Sequence, residues 1–447
     1  MSSIHPFEKS LMLDIGRKYF SPRSLMRLLD VMSSMGMTTL LLHFSEDMGV
    51  GIECPAYDFL AGRDGMLCPS RPLGTVHPDP GFLSVDELKD IIAAARRRGI
   101  DIVPSYDSPG HLNYTVKRLH EVVREKGAYS FSFEGNTYSI FYTDGRYSFA
   151  KNGVHLDYPD NTAGVYGIGS YFTLDGEVAR ISGTNNTGFS RGIDLGNEVG
   201  VAFIHSILDS YARLFRSLGC TAIDVGGDEF LGYGAAIKDA AVVPKWRQLA
   251  HLDAAAKRVT GMNTAVAYDI FVLYANDIYE RMKKLGYESV RMWNDEFRYT
   301  SQTGWTPERD KHIQFNPGFT VQYWSSDSRF ASPVSLAENG FSLIGADSSY
   351  CYYVLTDDAR STPPKKYLSV NPGSIRSEWS PYTFGRRNDG NIKDGWDLAS
   401  AGQCRSLVGS MFCVWCDCPD VRSDDQIIDE LTPLLSAWNE KLTASLK

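Results

Sequence analysis

The chain alternates short apolar runs with segments of helical periodicity, and this alternation constrains the fold more than any other feature. Residues 11–15, 39–43 and 101–105 are aliphatic runs of strand length. Residues 22–35 and 84–98 lie between them, have helical spacing and follow N-capping serines. Strands that alternate with helices pair in parallel, because the helix returns the chain to the same end of the sheet. The pattern predicts an α/β fold built from βα units.

The same rhythm continues along most of the chain and predicts a closed barrel. Further strands are predicted at residues 221–225, 289–293, 320–324, 342–346 and 407–415, and long helices at 198–218, 264–285 and 427–442. Eight strands with intervening helices fit one (β/α)8 TIM barrel, a fold that accommodates roughly 200 to over 400 residues. We therefore expect residues 1–447 to form a single barrel, without a separate N-terminal domain.

Residues from about 125 to 195 interrupt this rhythm. The segment is rich in Tyr, Phe, Ser, Gly and Asn and has no helical period. Strands and turns favour these residue types, so the segment is predicted to be a β-rich insertion in a loop of the barrel.

Composition excludes several classes of function. The net charge of −9 and the pI of about 5.5 argue against a nucleic-acid partner, which needs clustered Lys and Arg. No run approaches the roughly 20 apolar residues of a membrane span, and the first ten residues lack the apolar core of a signal peptide. Eight cysteines in 447 residues do not suggest a disulfide framework. We expect a cytoplasmic protein without a membrane partner.

Polar and aromatic side chains recur where the predicted strands end. In (β/α)8 barrels the C-terminal ends of the strands form one face, which carries the active site. These strand-end residues are Asp14, Arg17, His43, Glu46, Asp47, Asp107, His111, Asp228, Glu229, Trp293, Asn294, Asp295, Trp324, Tyr350, Trp415 and Asp417. A single acid near a strand end is usually a salt bridge or a loop cap. Acids, histidines and aromatic rings around the whole barrel instead predict a functional site.

Three ordered motifs give the chain a specific resemblance. Gly226-Gly227-Asp228-Glu229 follows an apolar strand, LDIGRKYF occupies residues 13–20, and DSPGH occupies residues 107–111. Together they resemble glycoside hydrolase family 20, which contains the β-N-acetylhexosaminidases, the lacto-N-biosidases and the dispersin-type glucosaminidases. The resemblance extends from about residue 11 to residue 417 and implies a retaining glycosidase on a TIM barrel.

The resemblance implies catalysis assisted by the substrate, whose own 2-acetamido oxygen attacks the anomeric carbon. Glu229 is then the general acid, and Asp228 orients the acetamido group and stabilises the oxazolinium ion. Adjacent carboxyl groups suit these two roles, because like charges separate their pKa values. A tyrosine after the seventh strand is expected to hold the acetamido oxygen. Tyr350 matches the family pattern best, and Tyr352 is the alternative.

The remaining site residues are predicted in the same way. Arg17 resembles the family arginine that binds the 3- and 4-hydroxyls, although a salt bridge to Asp14 is an alternative. Asp417 is expected to reach a 4- or 6-hydroxyl. Family members commonly have Glu at its position, which leaves the preference between the 4-epimers open. The aromatic walls of the sugar site are Trp293, Trp324 and Trp415. The residues expected to support the acid are Asp47, Asp107 and His111.

These residues predict an exo-acting enzyme that removes terminal β-linked GlcNAc, with GalNAc as the alternative, from a small oligosaccharide, with no cofactor and no metal. Release of a disaccharide, as by a lacto-N-biosidase, is the alternative on the same fold. A non-catalytic sugar-binding protein would be expected to lack one of the two acids, and both are present.

Two patterns suggest other chemistry but fit it poorly. Residues 226–230 spell GGDEF, the signature of diguanylate cyclases, but the RxxD site and the LTGLxNR-like segment of those domains are absent. Cys413, Cys416 and Cys418 are close in sequence, but no fourth ligand with zinc-site spacing accompanies them. We interpret them as buried thiols.

Overall fold

The computed structural model describes residues 7–63, 81–144, 146–157, 193, 195–230, 250–297, 313–325, 331–355, 370–385, 395–400, 402–419 and 421–446.

Eight parallel strands close into a barrel, which confirms the predicted fold class. In chain order they are Glu8–Asp14, Thr39–His43, Asp101–Ser108, Ala222–Gly226, Ser289–Trp293, Phe319–Tyr323, Ser342–Gly345 and Leu407–Trp415. Each strand pairs in parallel with the next. The first strand also pairs with the eighth, with Leu13 opposite Val414, so the sheet has no open edge.

Helices cover the outside of the barrel. Those described are Pro22–Ser34, Val85–Arg97, Asn113–Lys126, Glu198–Ser217, Ala250–Thr260, Ala267–Lys284, Pro333–Glu338, Pro372–Glu378 and Asp424–Ser445. Ser84 caps its helix as the sequence predicted, and it forms a capping box with Glu87. The helix Asn113–Lys126 was not predicted. Its N-cap residue, Leu112, offers no side-chain hydrogen bond that would mark its start. Of the helices described, none has the length and apolar character needed to cross a bilayer.

The insertion after the third strand contains an antiparallel sheet. Its strands are Ala128–Phe133, Asn136–Thr143, Arg146–Lys151 and Val154–Leu156. The β-rich character predicted from composition is therefore found in residues 128–156. Most of the remaining insertion, residues 158–192, lies outside the described residues.

Shorter elements lie in the loops at the ends of the barrel strands. The short strands are Ser45–Glu46, Gly49–Val50, Gly62–Arg63, Tyr352–Val354, Thr383–Phe384 and Trp396–Asp397, and the 3-10 helices are Asn294–Glu296 and Cys404–Ser406. The strand Tyr352–Val354 also pairs in parallel with the eighth barrel strand.

The period of two along each strand directs alternate side chains into the barrel and into the layer between barrel and helices. Leu11 and Leu13 pack in the core between barrel and helices, whereas Met12 packs inside the barrel. The register places Asp14 beside His43 on the neighbouring strand. The interior is therefore apolar in its middle, and its polar layer lies at the C-terminal ends of the strands.

Candidate active site

Two glycines at the end of the fourth strand make room for the acid pair that follows them. Gly226 and Gly227 have φ angles of 78° and 92°. A Cβ atom on Gly226 would lie 2.7 Å from the Cα of Asp107, and one on Gly227 would lie 2.8 Å from the Cγ of Met292. Only glycine fits both the backbone angles and the space. Glu229 has a φ of 49°, a conformation that non-glycine residues rarely adopt outside functional sites.

His111 joins the two carboxyl groups of the acid pair. Its Nε2 lies 3.5 Å from an oxygen of Asp228 and 3.5 Å from an oxygen of Glu229. The side chain of Asp228 is 11% exposed and that of Glu229 is 25% exposed, so Glu229 is the more accessible acid. Burial raises the pKa of Asp228, and the neighbouring Glu229 adds to this against the opposite effect of His111.

The other ring nitrogen of His111 contacts two more acids. Nδ1 lies 3.2 Å from Glu46 and 3.4 Å from Asp47. Burial alone would lower the pKa of His111, but Glu46 and Asp228 raise it well above its ordinary value. The imidazolium ring therefore connects the acid pair to the loop after the second strand. Asp47 and His111 were predicted to support the acid: His111 lies beside Glu229, and Asp47 contacts His111.

Arg17 lies on the opposite side of Glu46. Its guanidinium is 2.8 Å from Asp14, 2.5 Å from Glu46 and 4.0 Å from Asp417. Burial alone would raise the pKa of Glu46, but Arg17 and His111 together hold it well below its usual range. The salt bridge between Arg17 and Asp14 is formed. The guanidinium also remains 13% exposed beside Asp417, so the structure is compatible with both predicted roles.

A line of buried polar groups lies beneath the acid pair. Ser105 donates a hydrogen bond of 2.6 Å to Asp224, and its oxygen lies 3.0 Å from the Nδ1 of His43. The Nε2 of His43 faces Asp107 at 3.4 Å. Burial and the nearby Asp228 raise the pKa of Asp107 well above its ordinary value, and burial raises that of Asp224 to about 6. The ionised form of Asp107 is therefore disfavoured beside Asp228, whereas Asp224, with a pKa of about 6, is mostly ionised at neutral pH.

Aromatic rings line the barrel interior beside these acids. Trp415 contacts Trp293 and Tyr352, with 6.1 Å between ring centroids in each pair. Trp324 stacks on Tyr352 at 6.2 Å and 15° between ring planes. The edge of His43 meets Trp415 at 5.0 Å, so the aromatic wall contacts the charged cluster directly. The structure brings together all three tryptophans predicted for the sugar site.

The two tyrosines considered for the acetamido oxygen, Tyr350 and Tyr352, pack on different sides of the barrel wall. Tyr350 packs in the core between barrel and helices, and its hydroxyl donates to Glu378 at 3.2 Å. Tyr352 packs inside the barrel instead, because its strand places it beside Cys413, which also faces inward. Tyr350 precedes this strand and lies in a turn, where the alternation of faces does not apply. Tyr352 therefore lies in the aromatic wall and Tyr350 does not, and which of them holds the acetamido oxygen stays a prediction.

Several residues of the cluster were given no role from sequence. His43, Glu46 and Asp295 were recognised only as polar residues at strand ends, and Asp224 was not considered. Asp224 lies two residues before the end of its strand and faces the same interior as His43. An aspartate within an otherwise aliphatic strand was the available signal, because an isolated buried carboxylate is costly.

Two sets of side chains in the described residues have the spacing of metal ligands. They are His43, Glu46 and Asp107, and Glu46, Asp47 and His111. Both sets need Glu46, which Arg17 already binds. Asp107 and Glu46 raise the pKa of His43 to about 9 despite its burial, and a protonated imidazole is not a ligand. The expectation that no metal is needed stays a prediction.

Comparison with known proteins gives a consistent family. A family model described as "Glycosyl hydrolase family 20, catalytic domain" matches residues 9–442. The chain is similar to the N,N'-diacetylchitobiase of Vibrio harveyi, at 21% identity over 94% of the chain and 46% of that protein. It is also similar to a β-hexosaminidase of Vibrio furnissii, at 30% identity over 25% of the chain and 19% of that protein. The chain thus spans less than half the length of these curated relatives.

Solved structures share the fold at low identity. Dispersin B has 20% identity and a TM-score of 0.59, with 98% of this chain and 99% of that chain covered. A GH20 module of the pneumococcal exo-β-D-N-acetylglucosaminidase StrH has 18% identity and a TM-score of 0.61, with 97% and 82% covered. The exo-β-N-acetylglucosaminidase of Vibrio harveyi in complex with N-acetylglucosamine has 17% identity and a TM-score of 0.58, with 97% and 54% covered.

The glycine turn makes a stability prediction with a matched control. Gly226→Ala should cost about 1–2 kcal/mol for the left-handed backbone and roughly 1–3 kcal/mol more for the overlap with Asp107. Gly99 has a φ of 72° with nothing near its missing Cβ, so Gly99→Ala should cost the backbone part alone. Denaturant unfolding of both variants measures the difference. Equal losses would show that space at Gly226 is not limiting.

Proposed function

The chain belongs to glycosyl hydrolase family 20, and from this premise we propose that it is a retaining exo-β-N-acetylhexosaminidase that removes terminal β-linked GlcNAc from oligosaccharides. The observation that carries the proposal is the pair Asp228 and Glu229, joined by His111 at 3.5 Å to each carboxyl group and placed beside the aromatic wall. The relatives named as hexosaminidases and chitobiase support this activity.

In this proposal Glu229 protonates the glycosidic oxygen. A general acid must reach the leaving group, and Glu229 is the more exposed of the two acids. His111 lies next to it and is held as a cation by Glu46 and Asp228. When Glu229 gives up its proton, its new negative charge is adjacent to this cation, which stabilises the product of proton transfer.

Asp228 acts on the acetamido group rather than on the anomeric carbon. The substrate's acetamido oxygen is the nucleophile, so the enzyme needs an anion that orients the N–H and balances the oxazolinium charge. Burial and Asp228 itself raise the pKa of Asp107, so a second anion beneath Asp228 is disfavoured. Water then opens the oxazoline with net retention.

Tyr352 is the residue we assign to the acetamido oxygen. It lies between Trp324 and Trp415, in the aromatic wall of the site. A hydroxyl donor aimed at the oxygen would hold it in position for attack and would stabilise charge during cyclisation. The three tryptophans supply flat apolar surfaces for the sugar ring and the acetyl methyl group.

Arg17 and Asp417 recognise the far side of the sugar. Arg17 keeps two carboxylate partners, Asp14 and Glu46, which fix its guanidinium in one orientation. Asp417 lies 4.0 Å from it, so the two form a donor and an acceptor side by side. Adjacent sugar hydroxyls match such a pair. Engagement of these hydroxyls leaves the terminal sugar without room for a substituent, which favours exo action.

The acid assignment is tested by Glu229→Gln. Removing a general acid costs about 10²–10⁴-fold where protonation is needed, so kcat/KM for an alkyl or sugar leaving group should fall by this amount. A dinitrophenyl leaving group needs little protonation and should be largely spared. Steady-state kinetics with both substrates measure this difference. The same kinetics in the presence of EDTA test the expectation that no metal is required. Equal losses on both substrates would contradict the assignment.

The tyrosine assignment is tested by a pair of Phe variants. Tyr352→Phe removes the proposed donor and should lower kcat by about 10²–10³-fold, the usual cost of a lost oxyanion donor. Tyr350→Phe removes the hydrogen bond to the Glu378 carboxylate, which lies outside the aromatic wall, and should change kcat by less than about threefold, because its loss affects stability rather than the reacting groups. A larger loss of kcat in Tyr350→Phe than in Tyr352→Phe would instead assign the acetamido oxygen to Tyr350.

Exo action is tested by product analysis. The substrates are a GlcNAc-terminated trisaccharide and a tetrasaccharide whose terminal GlcNAc is capped at the 3-hydroxyl by galactose. We expect free GlcNAc from the first and no hydrolysis of the second. An intact disaccharide from the capped substrate would identify a lacto-N-biosidase activity instead.

A further inference from the structure

The side chain of Asn294 holds the loop that follows the neighbouring sixth strand. Its Oδ1 accepts hydrogen bonds from the backbone N–H groups of Trp324 at 2.8 Å and Ser325 at 3.2 Å. Its Nδ2 donates to the carbonyl of Ser325 at 2.8 Å. Asn294 is fully buried, so water does not compete for these bonds. The amide side chain of Asn294 therefore fixes the backbone of Trp324 and Ser325.

Asp295 fixes the indole ring of the same tryptophan. Its Oδ2 accepts the Nε1–H of Trp324 at 2.5 Å, and its side chain is fully buried. A carboxylate acceptor makes this a charge-assisted bond, which is stronger than a neutral one. The opposite side of the loop is also tied, because the N–H of Ser348 donates to the carbonyl of Trp324 at 3.2 Å. Asn294 thus holds the backbone of Trp324, and Asp295 holds its indole ring.

The held ring forms one side of the site. Trp324 stacks on Tyr352 with 15° between ring planes. A shift of the indole would change both the width of the wall and the position of the tyrosine hydroxyl. Neither Asn294 nor Asp295 stacks in this wall. Their effect on the reaction is therefore exerted through Trp324.

We propose that Asn294 and Asp295 are positioning residues that set the width of the pocket for the N-acyl group and so select acetyl over longer acyl chains. The inference rests on the proposed function. An apolar pocket of fixed size distinguishes ligands that differ by one methylene by about 10–200-fold. Such selectivity requires that the side chains lining the pocket do not move. The hydrogen bonds that Asn294 and Asp295 form with Trp324 supply this rigidity. The rigid pocket also keeps the acetamido oxygen close to the position from which it attacks the anomeric carbon.

The selectivity is measured with paired substrates. Nitrophenyl glycosides of N-acetyl- and N-butanoyl-glucosamine differ only by two methylenes in the acyl chain. Asp295→Ala should reduce the preference for the acetyl substrate by at least about tenfold, with a larger fall in kcat than rise in KM. Asp295→Asn keeps an oxygen acceptor for the indole N–H and should retain most of the preference. Unchanged preference in Asp295→Ala would overturn the proposal.

A double-mutant cycle separates this role from a general loss of structure. Trp324→Phe removes the indole N–H, so Asp295→Ala should have less than about a twofold further effect on the preference in that background. Asp269 provides the matched control. It is a buried aspartate that accepts the N–H of Val266 at 2.8 Å, away from the site. Asp269→Ala should lower stability without changing the acyl preference, and full additivity in the cycle would contradict the proposed role of Asp295.

Binding without turnover distinguishes this inference from the proposed function. Thiazolines with a methyl or a propyl substituent present the same difference in acyl size to the resting protein. The indole N–H signal of Trp324, assigned by its loss in Trp324→Phe, should exchange slowly in the wild type and rapidly in Asp295→Ala. Selective thiazoline binding without hydrolysis would contradict only the proposed function. Normal hydrolysis with unchanged selectivity in Asp295→Ala would contradict only this inference.

Discussion

Buried negative charge is the constraint on which the rest of the site depends. The mouth of the barrel contains more carboxyl groups than cations, and an unpaired buried carboxylate is too costly to persist. Arg17 neutralises Asp14 and Glu46 from one side, and His111 links Glu46 to the acid pair from the other. Because the carboxyl groups outnumber the cations, protonation of some of them is favoured, as the raised pKa of Asp107 indicates. The charge of Asp228 is therefore a property of the whole cluster.

The barrel was predictable because its signal is repeated along the chain. Eight aliphatic runs separated by helices fit few other folds, and the bounds of the second, fifth and eighth strands agree with the sequence prediction. The acid pair was equally readable, because Gly226 and Gly227 are needed by the geometry of the turn. Features that repeat along the chain, or that steric constraints require, can be predicted from a single sequence.

Other features depend on contacts that a single sequence does not show. Tyr350 and Tyr352 are alike in type and two residues apart, and only the start of a three-residue strand decides which faces the site. Asp295 looked like one more strand-end acid, and its partner Trp324 is on the next strand. Asp224 and His43 are connected only through Ser105 on the strand between them. Each assignment required the register between strands that are distant in sequence.

Closure of the barrel has a consequence for when the site can exist. The first strand pairs with the last, and Asp14 accepts the backbone N–H of Cys416 at 3.0 Å while Arg17 faces Asp417. The part of the pocket proposed to bind the sugar is thus built from the two ends of the barrel, and its residues Arg17 and Asp417 are 400 positions apart. Contacts of such separation form late, because the chain between them must be ordered first. During synthesis the proposed site therefore stays incomplete until the eighth strand has left the ribosome, and any product truncated before that strand lacks Trp415 and Asp417.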